Sequence, residues 1–341
     1  MPYYLYKLKF KTPVRFGVDK ASSGLATTNF CANADTVFSA ICNEWVSIHG
    51  EDTLKDLISM AEEGEFLISD MMPYKDIKDE SGSITDCKIY IPKPVLNVRS
   101  ERKENEATGD SIQKKKMKRI THIDVEKLES YVGFLKSGGD IDFAMDQGEI
   151  FYELQTTKVA KSYNEEPLPY QVASVKFHED AGLCLIVKTD EDMKEYFDDV
   201  IDSLETTGLG GKRSSGYGKY ELEEFGIELT DKEGDSLGLK KLYELLNAEG
   251  DSYISLSCML PEKDDLEVVR DEQSFYQLVL RKGFVYSLSY ADRSLKRKQV
   301  VMLRSGASLP MRIKGSIADT SSDGAHPVYR YGKGMFLGVK I

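Results

Sequence analysis

Residues Tyr3 to Phe10 read Y-Y-L-Y-K-L-K-F. This period-two alternation predicts a strand with leucine and phenylalanine on one face and lysine on the other. Pro13 ends it, and T-P-V-R-F-G then predicts an exposed turn that carries Arg15 and leads into a polar loop from Val18 to Cys31. Val37, Phe38, Ile41, Trp45 and Ile48 recur at helical spacing behind Asp35, which predicts a core helix with Asp35 as its N-cap. A shorter helix is expected over Leu54–Glu62 and a strand over Glu65–Ser69. From Tyr90 the pattern breaks: I-P-K-P-V-L is extended by its prolines, Ser100–Ser111 is polar without period, and K-K-K-M-K-R follows. The stretch from about Val98 to His122 is therefore expected to leave the domain as a mobile basic excursion.

Strand character returns over Asp140–Thr157 and Cys184–Val187. Met193, Tyr196, Phe197, Val200, Ile201 and Leu204 then form the apolar stripe of a helix capped by Thr189, and Asp192, Glu195, Asp198, Asp199 and Asp202 occupy its wet face. Strand, helix, strands, helix, glycine loop and strand is the order of a ferredoxin-like (RRM-like) β-α-β-β-α-β domain. After an amphipathic connecting helix over Leu237–Leu246, Tyr253–Leu260 alternates like the first strand, and Tyr329–Lys340 again sets glycines and cations before a final strand. The expected fold class is α+β, two ferredoxin-like domains in tandem over 1–230 and 231–341, with a basic insertion in the first.

The length of 341 residues agrees with two domains, each able to bury its own core. No apolar run approaches a bilayer span and Met1–Phe10 lacks the marks of a signal peptide, so a cytoplasmic protein is expected. Five cysteines and four histidines are scattered, without C-x-x-C or H-x-x-x-H spacing, which argues for reduced thiols and against a structural zinc. The net charge of −12 taken alone opposes a nucleic-acid partner, yet Arg99–His122 has eight cations against four acids and Asp292–Lys314 seven against one. Local fields decide where an anion binds.

Thr206–Leu222 contains Gly208, Gly210, Gly211, Lys212, Arg213, Ser214, Ser215, Gly216, Tyr217, Gly218 and Lys219. Glycines let backbone N–H groups approach a ligand closely, and the cations add charge where phosphate oxygens would sit, so this loop is a candidate anion cradle. A nucleotide-hydrolysing phosphate loop is excluded because Arg213 follows Lys212 where Ser or Thr is required, and a dinucleotide fingerprint because a helix precedes the loop and a strand follows it. The bland alternative is a surface connection, with Tyr217 a core ring. Lys114, Lys115, Lys116, Lys118, Arg119 and His122 are candidate RNA contacts on the excursion, against a solvated charge run. Arg15 is a candidate RNA contact or a turn cation. Arg312 belongs to a segment, Leu295–Lys314, read as a half-buried sheet with a basic face.

F-K-T-P-V-R-F-G at Phe10–Gly17, A-D-T-V-F-S-A-I-C-N-E-W at Ala34–Trp45, I-P-K-P at Ile91–Pro94, G-L-G-G-K-R-S-S-G-Y-G at Gly208–Gly218 and H-P-V-Y-R-Y-G-K-G at His326–Gly334 together resemble the RAMP superfamily of CRISPR proteins. Within it the chain is similar to the fourth subunits of type III-A Csm interference complexes. The resemblance implies a non-catalytic cap, with no cofactor, that holds the repeat-derived 5′ handle of the crRNA. It further implies that the cap sits on the large polymerase-like Csm subunit and starts the filament of backbone RAMP subunits, in antiviral defence. Its implied basic insertion corresponds to the K-K-K-M-K-R segment.

Three other functions are weighed beside this one. A RAMP-type endoribonuclease that processes crRNA precursor would use His122 beside Lys118 and Arg119 as general base and cation. A nucleotide-binding enzyme would need a Mg²⁺-binding acid pair, which is missing near the glycine loop in sequence. A pure scaffold would suit the acidic charge.

Overall fold

The structure is a computed structural model and describes residues 1–18, 24–98, 110–162, 165–232, 236–287 and 289–341. Residues 99–109 of the expected basic excursion lie outside the described residues. In chain order the first two thirds comprise β1 (Tyr3–Phe10), α1 (Ala34–His49), α2 (Glu51–Glu63), β2 (Leu67–Ile68), β3 (Met72–Lys78), β4 (Ile84–Pro92), α3 (Asp110–Arg119), β5 (His122–Asp124), α4 (Leu128–Ser137), β6 (Phe151–Ser162), β7 (Glu165–Phe177), β8 (Ala181–Lys188), α5 (Glu191–Thr207), β9 (Tyr220–Leu222) and β10 (Ile227–Glu228). After α6 (Leu237–Asn247) come β11 (Ser252–Ser255), α7 (Leu266–Val269), β12 (Leu278–Arg281), β13 (Val300–Leu303), β14 (Ser308–Leu309), β15 (Gly315–Asp319), β16 (Tyr329–Lys333) and β17 (Phe336–Val339).

The fold is mixed α+β with antiparallel sheets. Its main sheet runs β10-β1-β8-β3-β4-β5, with β9 also on β1 and β2 also on β8. β1 is central, and its alternation sends Tyr4, Tyr6, Leu8 and Phe10 to one core and Leu5 to another. Lys7 shares the Leu5 face, where water was expected, but the face is covered: Lys7 Nζ lies 2.6 Å from Asp76 and 2.8 Å from Glu223. A buried ammonium needs such partners.

On the tyrosine face, Phe38, Ile41 and Trp45 of α1 and Phe197, Val200, Ile201 and Leu204 of α5 pack against the sheet. On the opposite face, Leu128 of α4, Leu242 and Leu246 of α6, Ile254 of β11 and Leu337 of β17 meet Leu5, Ile89 and Ile186. The C-terminal third thus supplies about a third of the buried residues of that second core. Each domain was expected to bury its own core; the C-terminal part does so with Tyr253, Met259, Leu303, Leu309 and Phe336, and in addition the two parts share the second core.

Past α6 the chain forms small sheets, β14-β11-β17, β12-β13 and β15-β16, and α7 spans four residues. A second β-α-β-β-α-β sheet is not formed among the described residues, because the apolar stripes here are too short for a pair of packing helices.

Helix starts differ from expectation. The N-cap of α1 is Asn33, and the carboxylate of Asp70 accepts from the Ala34 N–H (2.7 Å), the Cys258 N–H (3.0 Å) and the Asn33 side chain (2.7 Å). A carboxylate there satisfies first-turn donors and the helix dipole, so a cap is supplied from the β2–β3 connection. Asp190, not Thr189, caps α5 by accepting from the Met193 N–H at 2.8 Å.

Candidate nucleic-acid interface

The glycine loop leaves α5 at Gly208 and returns to the sheet at β9. Gly208, Gly210, Gly216 and Gly218 all have positive φ, as does Lys212 at 65°. Three of these glycines serve the loop's own packing. A Cβ on Gly208 would lie 2.8 Å from the Tyr217 carbonyl oxygen, on Gly210 2.5 Å from that of Arg15, and on Gly218 2.0 Å from that of Leu209. Gly216 opens to free space, and a Cβ on Gly211 would meet nothing closer than 3.5 Å. The expectation that the Gly210 and Gly211 backbone approaches a ligand therefore needs correction at both: Gly210 faces the Arg15 carbonyl, and the Gly211 N–H is spent on that same carbonyl.

Hydrogen bonds fix the loop to the turn after β1: Gly211 N–H donates to the Arg15 carbonyl (2.7 Å) and Gly218 N–H to that of Pro13 (2.9 Å). A short 3₁₀ turn, Arg213–Ser215, sits at its tip. Its closing bonds run from Ser215 N–H to the Lys212 carbonyl and from Gly216 N–H to the Arg213 carbonyl. Among the described residues the N–H groups of Lys212, Arg213 and Ser214 have no acceptor. Three adjacent free donors at the start of a helical turn are of the kind that can meet an anion.

Around this tip cations and tyrosines alternate. Lys158 Nζ stands 4.9 Å from the centroid of Tyr217, Lys212 Nζ 5.4 Å from Tyr170, and the Arg213 guanidinium 4.5 Å from Tyr286. Lys158 and Tyr170 are opposite one another in the β6–β7 hairpin, which carries them to the loop. Tyr286, two-thirds exposed, comes from the chain after β12. Tyr217 is half-buried and packs on a cation, so it is not a core ring. Sequence reasoning missed Lys158, Tyr170 and Tyr286; the alternation of Y-Q-V-A-S-V-K-F, Tyr170–Phe177, was the signal for the second hairpin strand.

The other candidates lie elsewhere. Arg15 is buried rather than on an exposed turn; its guanidinium donates to the carbonyls of Gly24 (2.8 Å) and Thr27 (3.2 Å) in the β1–α1 connection, and only its backbone carbonyl holds the glycine loop. Lys114, Lys115, Lys116, Lys118 and Arg119 stand exposed on α3, which is a helix and not an unpatterned excursion. Met117 and Ile120 pack against the second core, and Lys93 donates to the Met117 carbonyl at 2.6 Å. His122 is a correction. It is buried in β5 opposite Pro92, its ring edge against Phe30, and burial pushes its pKa down to about 3. Arg312 donates to Glu249 (2.7 Å) and the Ala248 carbonyl (2.7 Å) and lies over Tyr253 (4.6 Å), so its contacts are with the C-terminal third rather than the loop.

Asp35 is neither a cap nor a surface group. It is fully buried and accepts from Arg281 Nε (3.0 Å), Arg281 Nη2 (2.8 Å) and Arg330 Nη1. Although burial opposes ionisation, the two arginines hold its carboxyl below the usual carboxylate range.

The family model for the CRISPR Csm4 C-terminal domain matches residues 248–339. A Mycobacterium tuberculosis protein described as CRISPR system Cms protein Csm4 is 29% identical over 330 residues, covering 95% of this chain and 96% of that one. The chain is thus similar to Csm4 proteins over nearly its whole length. A Csm4 protein of Streptococcus thermophilus is 24% identical over 350 residues and the alignment covers all of both chains. Among solved structures, a chain of a Csm1–Csm4 cassette in complex with pppApA superposes with a TM-score of 0.60 at 18% identity, covering 99% of the Csm4-like chain and 98% of that one. A chain of a Csm3–Csm4 subcomplex of a type III-A interference complex gives 0.60 at 16% identity, covering 99% of each. These structures share the fold. No helix among the described residues is long and apolar enough to cross a membrane.

Proposed function

We propose that this Csm4-like chain is the subunit of a type III-A CRISPR effector complex that holds the repeat-derived 5′ handle of the crRNA, without catalysis of its own, in the cytoplasm. The observation that carries this reading is the alternation of Lys158, Tyr217, Lys212, Tyr170, Arg213 and Tyr286 around the free N–H groups at the loop tip. Single-stranded RNA is held by cations along its phosphates and by rings beneath its bases, and this surface offers both side by side. The net charge of −12 does not oppose it, because Lys158, Lys212 and Arg213 set the local field at the loop tip.

The related chains occur in Csm1–Csm4 and Csm3–Csm4 assemblies, which supports a bridging position between the large polymerase-like subunit and the backbone subunits. We further propose that the first half is a ferredoxin-like unit, from its β9-β1-β8-β3 order with α1 and α5 on one face, and that the exposed cations of α3 add a second RNA contact. An endoribonuclease reading needs an accessible base near pH 7, and the buried, neutral His122 does not supply one.

The test is binding of a handle-containing RNA to Lys212→Ala/Arg213→Ala protein. Each charge-assisted hydrogen bond lost costs about 1.5–3 kcal/mol, so affinity should fall about tenfold or more per contact at an unchanged melting temperature. Wild-type affinity in this variant would sink the assignment of the loop.

A further inference from the structure

Arg281, Arg297 and Arg330 converge on Asp35 at the junction of α1 with the C-terminal third. The carboxylate has two oxygens and both are in use. Oδ1 accepts from Arg281 Nη2 and the Cys258 thiol (3.8 Å); Oδ2 accepts from Arg281 Nε and Arg330 Nη1. Thr36 Oγ1 takes a further bond from Arg281 Nη2 at 2.9 Å. Arg330 is 2% exposed, yet among the described residues its Nε and Nη2 have no acceptor, and neither has the buried Nη1 of Arg297. Among the described residues Arg281 and Arg330 pair with the Asp35 carboxylate, and Arg297 lies within reach of its charge and of theirs. A buried guanidinium N–H without an acceptor is costly, and an excess of positive charge away from water is costlier.

We propose that this cluster is a binding site for a phosphate-class oxyanion, taken up by the unused nitrogens of Arg330 and Arg297. Such an anion supplies acceptor oxygens in a geometry that suits planar guanidinium forks and cancels the excess charge. Burial and the neighbouring charges of Arg330 and Arg281 press the Arg297 pKa down to about 10, against the attraction of Asp35. An anion would relieve that pressure.

Arg297 is the outer member of the site. It is half-buried, and its Nε donates to the carbonyl of Phe284, whose ring is exposed, on the same segment that brings Tyr286 to Arg213. A phosphate could thus arrive either as free inorganic anion or as part of an RNA backbone lying on that segment. The site does not depend on the glycine loop's role.

The purified full-length protein should be titrated with sodium phosphate and, at matched ionic strength, with sodium chloride, while its melting temperature is followed. Phosphate should raise the melting temperature saturably and beyond chloride, because a ligand that binds the folded state stabilises it in proportion to the logarithm of its concentration. Arg297→Gln should need at least tenfold more phosphate for the same shift. Among the described residues its side chain bonds a backbone carbonyl alone, so the variant should fold, whereas Arg330→Met tests the inner nitrogens and should abolish the response if it folds. A wild type that treats the two salts alike and releases less than one equivalent of phosphate on acid denaturation would overturn the proposal. So would an Arg297→Gln response equal to wild type. Repeating the titration on RNA-saturated protein distinguishes the source: loss of the phosphate shift assigns the site to an RNA phosphate, and an undiminished shift assigns it to free anion. If handle RNA fails to bind while the phosphate shift persists, the RNA-binding reading falls and this site stands.

Discussion

Gly210 and Gly211 are neighbours of one residue type, yet the structure separates their roles. At Gly210 a methyl group would need φ of +89° and would press to within 2.5 Å of the Arg15 carbonyl, whereas Gly211 has ordinary φ and space to 3.5 Å. Gly210→Ala should therefore lower the melting temperature, with about 1–2 kcal/mol from the left-handed backbone alone, while Gly211→Ala should stay within about 0.5 kcal/mol of wild type; thermal unfolding of the two single variants reads this directly. The loop's glycine spacing was legible in the sequence, but which glycine packs inward depends on the Arg15 backbone, almost two hundred positions earlier. His122 shows the same limit, since lysines and an arginine beside it in sequence gave no hint of burial. Its neutral form is the folded one, with a pKa near 3 against 6.5 when unfolded. Below pH 6.5 the unfolded chain takes up the proton and the folded chain does not, so the stability tied to this group is complete above that value and drains as pH falls toward 3. The slope is at most about 1.4 kcal/mol per pH unit. Urea unfolding at pH 4.5 and 7 should show a larger stability loss in wild type than in His122→Phe; equal losses would mean the ring is accessible.

At the scale of elements, the alternation in β1 and the stripes of α1, α5 and α6 were legible because each pattern records burial of one face against the sheet. What was illegible were the elements whose partners lie far away. Helix α3 carries an apolar contribution of Met117 and Ile120 too sparse for periodicity to register, and it is held by Lys93 from the strand before it. Of the hairpin β6–β7 only part of β6 fell within the expected strand Asp140–Thr157 and β7 was missed, because outer residues such as Val159 and Leu168 are exposed and the two strands pair with each other. Replacing Lys114, Lys115, Lys116, Lys118 and Arg119 by alanine should leave α3 folded, since these side chains face solvent and alanine favours helix. If RNA lies along this helix, each phosphate contact removed should flatten the dependence of log affinity on log salt by about 0.7. Binding isotherms at several salt concentrations measure that slope, and an unchanged slope with unchanged helicity would leave α3 as a solvated face.

For the whole molecule, the two-part division read from the sequence describes the order of elements better than the distribution of the core. The cluster that contains Leu5, Met72, Ile89 and Ile186 from the main sheet is completed by Leu242 and Leu246 of α6, Ile254 of β11 and Leu337 of β17. Tyr331 reaches the other cluster, where its hydroxyl accepts from the Ile68 N–H at 2.8 Å and its ring lies 4.8 Å from Phe38. Asp35 and Asp70 add charge and hydrogen bonds across the same junction, to Arg281, Arg330 and the Cys258 N–H. A chain ending at residue 232 would uncover one face of its sheet and leave the carboxylate of Asp35 buried without its arginines, an imbalance that costs about 3–5 kcal/mol in comparable buried pairs. Marginal stability cannot absorb both losses. Residues 1–232 expressed alone should aggregate or bind a hydrophobic dye, and co-expression with residues 236–341 should restore a monodisperse complex that melts cooperatively. A soluble, dye-negative first half with the melting temperature of the full chain would show that the shared core contributes little, and that the junction at Asp35 is a contact between two self-sufficient units.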